Sequence, residues 1–286
     1  MSELGLPKIR YVPFKGGRLA YREKGNGTVL FLLHGMNGSS RSWINSFKSL
    51  SGLFRLIAWD APSFGASDVF GDTISDYKNA AKELIHSLNV KDIILIGHSM
   101  GGLVATQIAS DQSVSVAGLI LSSSHLGFAY PKGKSLMPRY TNQIKQLYYN
   151  RSNVKHAFKR TKKSSTVNTV KIEKDITEIL PTKSGDSRIE SIRDGGRMSQ
   201  ETDNRPICKN IHCPIMILSG EHDQIITPKM HAEVLVAFPK AQQVEFKKIG
   251  HASYNECPSL FNKQVKEFSQ KVSALCPATE TKQIIN

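Results

Sequence analysis

Cysteine is scarce in this chain. Cys208, Cys213, Cys257 and Cys276 are the only four in 286 residues, and they form no CxxC pair and no metal-ligand spacing. That excludes a disulfide-stapled small fold, and it leads us to expect a reduced, cytoplasmic setting and no metal centre. Long apolar runs are missing too. None reaches the ~18 residues a membrane span needs, so no integral membrane segment is expected. The N-terminal MSELGLPKIR lacks the apolar stretch of a secretory signal. Acidic residues are in short supply: 24 Asp+Glu face 38 Lys+Arg, a formal net charge of +14. The apolar fraction is ordinary at 40%, enough for a core and too high for a disordered chain. The length suits one large domain, or a core domain carrying an insertion.

Short continuous apolar runs recur through the first half. Val29–Leu33, Leu56–Trp59, Ile93–Ile96 and Gly118–Leu121 each end at a polar or glycine-bearing turn, and Ile215–Leu218 and Val244–Phe246 follow much later. Such runs are buried on both faces, as parallel strands are. Between them lie helical spacings, such as Tyr77, Ala80, Ala81, Leu84, Ile85 and Leu88. Strands alternating with helices predict a parallel α/β sheet covered on both sides. Lys15-Gly16-Gly17-Arg18, between two half-apolar runs in 9–23, predicts a hairpin at the sheet edge. The rhythm fails between 126 and 205, where Tyr140, Ile144, Leu147, Tyr148 and later Ile172, Ile176 and Ile179 keep helical spacing and no strand run occurs. This predicts a core over 1–125 and 206–273, a helical insertion over 126–205, and a frayed tail over 274–286.

The chemistry centres on Gly97-His98-Ser99-Met100-Gly101-Gly102, directly after one strand run and before a helical one. That is the setting of a G-x-S-x-G nucleophile elbow. The serine occupies a strained turn, so the positions two before and two after it, Gly97 and Gly101, must lack a bulky Cβ. The turn lifts Ser99 Oγ clear of the backbone, and the following helix start offers free N–H groups to a developing oxyanion. A serine nucleophile needs a base and the base an orienting acid. His251 follows the last strand run and Asp223 the preceding one, so the order is Ser99, Asp223, His251. His222 and Glu221 are the second choices for base and acid. A second oxyanion donor is expected at Met36, in His34-Gly35-Met36-Asn37-Gly38, beside the N–H of Met100. Gly35 allows the close backbone approach this requires. Asp60, in Asp60-Ala61-Pro62-Ser63-Phe64-Gly65, is read as part of a structural turn on the floor of the site.

As a set, His34-Gly35, Asp60-x-Pro62-x-x-Gly65-x-Ser67, the elbow 97–102, Gly220-x-x-Asp223 and Gly250-His251 resemble the α/β-hydrolase superfamily. The resemblance implies an α/β-hydrolase fold: a mostly parallel eight-stranded sheet, helices on both faces, and a helical cap (lid) inserted after the sixth strand. It further implies Ser99 as nucleophile, His251 as base, Asp223 as orienting acid and the Met36 and Met100 amides as oxyanion hole, with no cofactor. His34, Gly35, Gly97, His98 and Gly101 would shape the elbow and line the site. Serine at 99 argues against the branches that use aspartate there. Arg193–Asn210 followed by Pro214 resembles the cap exit of enol-lactonases and of C–C hydrolases of meta-cleavage products. His98, where the C–C hydrolases usually carry Asn, leans toward ester, thioester or lactone cleavage. C–C cleavage and a ligand-binding protein without turnover stay as alternatives.

The charge is unevenly placed. Residues 126–205 hold 17 Lys+Arg against 8 Asp+Glu, leaving 21 against 16 for the rest of the chain. No acid occurs from Gln112 to Ile172, a stretch with 11 Lys+Arg, densest at Lys159-Arg160-Thr161-Lys162-Lys163. No nucleic-acid reading module accompanies it. A basic cap over the site would instead draw in a small anionic ester or lactone.

Overall fold

The computed structural model describes residues 5–144 and 187–275. Eight strands form one sheet: β1 (Ile9–Phe14), β2 (Gly17–Lys24), β3 (Val29–Leu33), β4 (Arg55–Trp59), β5 (Ile93–His98), β6 (Val116–Ser122), β7 (Ile215–Gly220) and β8 (Gln242–Phe246). Their order is β1-β2-β4-β3-β5-β6-β7-β8. β2 runs antiparallel to both β1 and β4, and every other pairing is parallel. The hairpin at 9–23 forms as predicted. Lys15 and Gly16 both have positive φ, +45° and +77°, the turn geometry whose twist matches that of the strands it joins.

The central strands alternate strictly between two cores. On β3, Leu30 and Leu32 face one side, packed with Trp43, Phe47, Phe261, Val265 and Phe268. Phe31 and Leu33 face the other, with Tyr77, Ala80, Leu84, Leu103 and Ile108. Continuous apolar runs are required because neither face meets water. The first side is covered by α1 (Ile44–Leu50) and α7 (Pro258–Leu275), the second by α2 (Ile74–Ser87), α3 (Met100–Ala109) and α5 (Pro228–Ala237). The predicted stripe on α2 is buried at Tyr77, Ala80, Ala81, Leu84 and Ile85. Thr73 caps that helix, with Asp76 returning a bond to the Thr73 N–H.

Between β6 and β7 the chain leaves the sheet. Its described parts are helical at 138–144 and in α4 (Ser187–Glu201), followed by a 3₁₀ turn at Arg205–Asn210. The two ends of this excursion run side by side: Ala129 N–H donates to Thr202 O (2.9 Å), Tyr130 N–H to Gln200 O (2.7 Å) and Asn204 N–H to Leu126 O (2.7 Å). The helical spacings at Leu147, Tyr148, Ile172, Ile176 and Ile179 and the basic run 159–163 lie outside the described residues. α7 continues through Ala274 and Leu275, where the sequence predicts the tail to begin. Among the described residues no helix is long and apolar enough to cross a membrane.

Because the inner strands are parallel, the carboxyl ends of β3, β5, β6, β7 and β8 open on one edge of the sheet. In open α/β sheets that edge is where ligands bind.

Candidate active site

Ser99 stands between β5 and α3 with φ +51° and ψ −117°, backbone that an L-residue rarely adopts. Its surroundings explain the glycines. A Cβ on Gly97 would lie 2.6 Å from Gly101 O, and one on Gly101 only 2.2 Å from Leu33 O. The steric requirement read from the sequence is therefore met at both positions. Ser99 N–H donates to Ser122 O (3.0 Å), and Ser124 Oγ donates to Ser99 O (3.0 Å), so the turn is fastened to the end of β6.

Asp223 and His251 come together from the ends of β7 and β8. His251 Nδ1 lies 2.9 Å from Asp223 Oδ2 and 3.1 Å from Oδ1. Asp223 Oδ1 also accepts the N–H groups of Ile225 (2.8 Å) and Ile226 (3.0 Å). Burial alone would raise this carboxyl. The bond from His251 and the two backbone donors outweigh burial, and the acid is held below its ordinary range. An ionised carboxylate only accepts, so the imidazole proton sits on Nδ1 and Nε2 keeps its lone pair. The second choices stand apart. Glu221 accepts Lys248 N–H (2.8 Å) and pairs with Lys247, and His222 is largely exposed. Neither lines the cavity beside Ser99.

That cavity, of about 230 Å³, is walled by Gly35, Met36, His98, Ser99, Met100 and His251, with His125, Arg139, Tyr140 and Ile225 among the rest. Met100 opens α3, where the first N–H groups have no intrahelical partner. The Met36 N–H makes no hydrogen bond among the described residues. A Cβ on Gly35 would come within 2.9 Å of the His98 ring and 3.2 Å of Ser99 Cβ, so glycine permits the close approach of this loop. His34, fully buried, joins two loops: its Nδ1 donates to Gly35 O (2.8 Å) and its Nε2 accepts Ala61 N–H (3.0 Å). Burial pushes His34 down, and it stays neutral. His98 is neutral as well, lowered to about 3 by burial and by the neighbouring His251. Its Nδ1 donates to Ser122 O (3.2 Å), and its ring packs 4.7 Å from that of His251. The loop from Asp60 is the structural turn the sequence predicts, though Asp60 does not itself line the cavity. Its carboxylate accepts the N–H groups of Ser40 (2.6 Å) and Ala66 (2.9 Å), so Asp60 ties the loop together beneath the site and forms no part of the cavity wall.

A family model described as alpha/beta hydrolase fold matches residues 28–256. The chain belongs to the α/β-hydrolase family. A curated relative is the pimeloyl-[acyl-carrier protein] methyl ester esterase of Proteus mirabilis, 26% identical and covering 90% of this chain and 99% of that protein. Among solved structures, the enol-lactonase of Burkholderia xenovorans LB400 matches with TM-score 0.69 at 21% identity, covering 91% of this chain and 100% of that one. The esterase EaEST of Exiguobacterium antarcticum matches with TM-score 0.70 at 18% identity, covering 89% and 96%. These three relatives of the hydrolase carry the names of two esterases and a lactonase.

Four features of this α/β-hydrolase site escape a reading of the sequence alone. His125 follows the end of β6, the same strand-end rule that singles out Ser99, Asp223 and His251, so a signal existed. Tyr254 stacks at 4.9 Å on His98 from the short helix α6 (Ser253–Glu256). Arg139 enters the wall from the excursion, where no sequence rule marks it. Gly195 and Gly196 let α4 press down: a Cβ at 195 would meet Phe64, Met100 Sδ and Met36 Sδ at 2.9–3.0 Å, and one at 196 the Tyr140 ring at 2.8 Å. Asp194 on the same helix accepts Ser63 Oγ (2.8 Å), and Ser191 Oγ donates to Ser63 O, which moors α4 to the loop after β4.

Proposed function

We propose that this α/β-hydrolase is a serine hydrolase that cleaves a small carboxylic ester, thioester or lactone. The observation that carries the reading is the Asp223–His251 pair, hydrogen-bonded at 2.9 Å, sharing one cavity with a serine held on strained backbone. Ser99 Oγ attacks the carbonyl carbon while His251 Nε2 takes the hydroxyl proton. Asp223 holds the ring and stabilises the imidazolium. The carbonyl oxygen, now anionic, is received by the N–H groups of Met36 and Met100. Collapse breaks the bond to the alcohol or thiol, which leaves with the proton from His251. Water then adds to the acyl-enzyme and gives a proton to Nε2. The second collapse releases the acid, and Ser99 recovers its proton. Each step uses groups of the chain and water.

In this reading residues 126–205 form the cap. The paired ends at 126–130 and 200–204 and the seat of α4 on Met36 and Met100 support it. The esterase and lactonase neighbours and His98 before the serine favour acyl over C–C cleavage. A fluorophosphonate probe tests the reading: it labels the wild type and spares Ser99→Ala, which also loses turnover of p-nitrophenyl acetate by about 10³-fold or more. An unlabelled wild type, or labelling that survives Ser99→Ala, overturns it.

A further inference from the structure

The cavity that holds Ser99 contains one formal charge among its described lining residues, and that charge is positive. Arg139 lies in its wall, with its guanidinium carbon 5.1 Å from the centre of the Phe128 ring and 5.5 Å from that of Tyr140. No Asp or Glu lines the cavity, and among the described residues Arg139 has no acidic partner. These cation–π contacts position the guanidinium, and its N–H donors make no hydrogen bond among the described residues. Beside it stands His125, 7% exposed and packed 4.8 Å from the same Phe128. His125 Nδ1 accepts the Gly127 N–H (3.1 Å), which leaves the ring proton on Nε2. That Nε2–H finds no hydrogen-bond partner among the described residues. Among the described residues, a ring N–H donor without a hydrogen-bond partner and a cation without an acidic partner share one wall.

We propose that Arg139 and His125 form a carboxylate subsite, so that the ester cleaved at Ser99 carries a free carboxylate group elsewhere in the same molecule. This rests on the serine-hydrolase reading and narrows its substrate class. A carboxylate fits better than a phosphate. One guanidinium fork matches two coplanar oxygens, and a single positive charge balances a single negative one. The anion expected from the basic composition is thereby tied to one residue inside the cavity rather than to the run 159–163.

Charge-swapped pairs of substrates test the subsite. The monomethyl esters of succinic through adipic acid are compared with the same esters carrying a carboxamide for the free acid, which places the group on the acyl side. The acetate esters of glycolic and lactic acid, against their amides, place it on the leaving side. Wild type is expected to favour the acid over the amide in kcat/KM by about ten-fold or more in one of the two series. The ratio should fall to about one in Arg139→Met and remain intermediate in Arg139→Lys, which keeps the charge without the fork. A wild-type ratio near one in both series, or a ratio unmoved by Arg139→Met, overturns the subsite. Calorimetric titration of Ser99→Ala with monomethyl glutarate and with methyl glutaramate reads the same discrimination without turnover. Failure of the fluorophosphonate to label wild type would therefore sink the serine mechanism, while equal binding of acid and amide would sink the subsite alone.

Discussion

Asp223→Asn is the sharpest probe of the hydrogen-bonded pair, because the structure says which bonds survive it. Both backbone donors, Ile225 and Ile226, go to Oδ1, whereas the shorter contact with His251 goes to Oδ2. An asparagine that keeps Oδ1 in place retains the loop and sets an NH₂ group where Oδ2 stood. That NH₂ donates, so His251 Nδ1 must accept and the ring proton moves to Nε2. There it blocks the nitrogen that, in the proposed mechanism, receives the Ser99 proton. The expected fall in kcat is of order 10⁴-fold, about 5.4 kcal/mol of transition-state stabilisation. The loss of folding stability should be small, about 1–3 kcal/mol for the altered bond. Turnover of p-nitrophenyl acetate gives the first number and urea unfolding the second. Turnover within ten-fold of wild type would refute the tautomer argument, and so would a stability loss large enough to empty the folded state.

Three further outcomes follow from the geometry. Gly101→Ala places a Cβ 2.2 Å from Leu33 O, where only backbone could yield. We expect about 3 kcal/mol or more of destabilisation by urea unfolding, and a change under 1 kcal/mol would contradict the packing. Asp111 is held far below its ordinary range: burial would raise it, and the bonds from Lys82 (2.8 Å) and Ser113 outweigh that. A lowered folded-state pKa contributes stability above the unfolded value, near 3.9, and loses it as pH falls further. Asp111→Asn should therefore lower the urea midpoint more at pH 7 than at pH 2, where part of that contribution is already lost, whereas equal losses at both pH values would count against the ion pair. His98 is neutral from pH 5 upward because burial and His251 bring it to about 3. His98→Gln should leave the shape of the kcat/KM pH profile unaltered, and a displaced acid limb would show that His98 titrates.

The inner strands were legible because each is buried on both faces, which leaves a continuous apolar signature in one dimension. β8 was faint for the converse reason: it lies at the edge of the sheet, and Gln242, Gln243 and Glu245 face solvent. The hairpin was legible from Lys15-Gly16, since few dipeptides accept two successive positive φ values. Ser99, Asp223 and His251 were legible as three strand ends, a rule that needs topology but no side-chain detail. Asp60 was half legible. Its place in a turn was written in Pro62 and Gly65, but which amides its carboxylate accepts depends on Ser40, 20 residues upstream. Arg139 and the seat of α4 were illegible. They depend on how a separate stretch of chain lies over the sheet, and a lone arginine or a Gly-Gly pair within a helix carries no local mark of its partner.

The backbone at Ser99 has a consequence for how this sequence can drift. A residue at φ +51°, ψ −117° is held there against its own preference, at a cost of about 1–3 kcal/mol. Glycine would relieve that cost and remove the hydroxyl in the same exchange. If Ser99 is the nucleophile proposed above, selection for a sturdier fold and selection for turnover pull in opposite directions at position 99. On the proposed mechanism, a lineage released from the need to hydrolyse anything would gain stability by abandoning this serine.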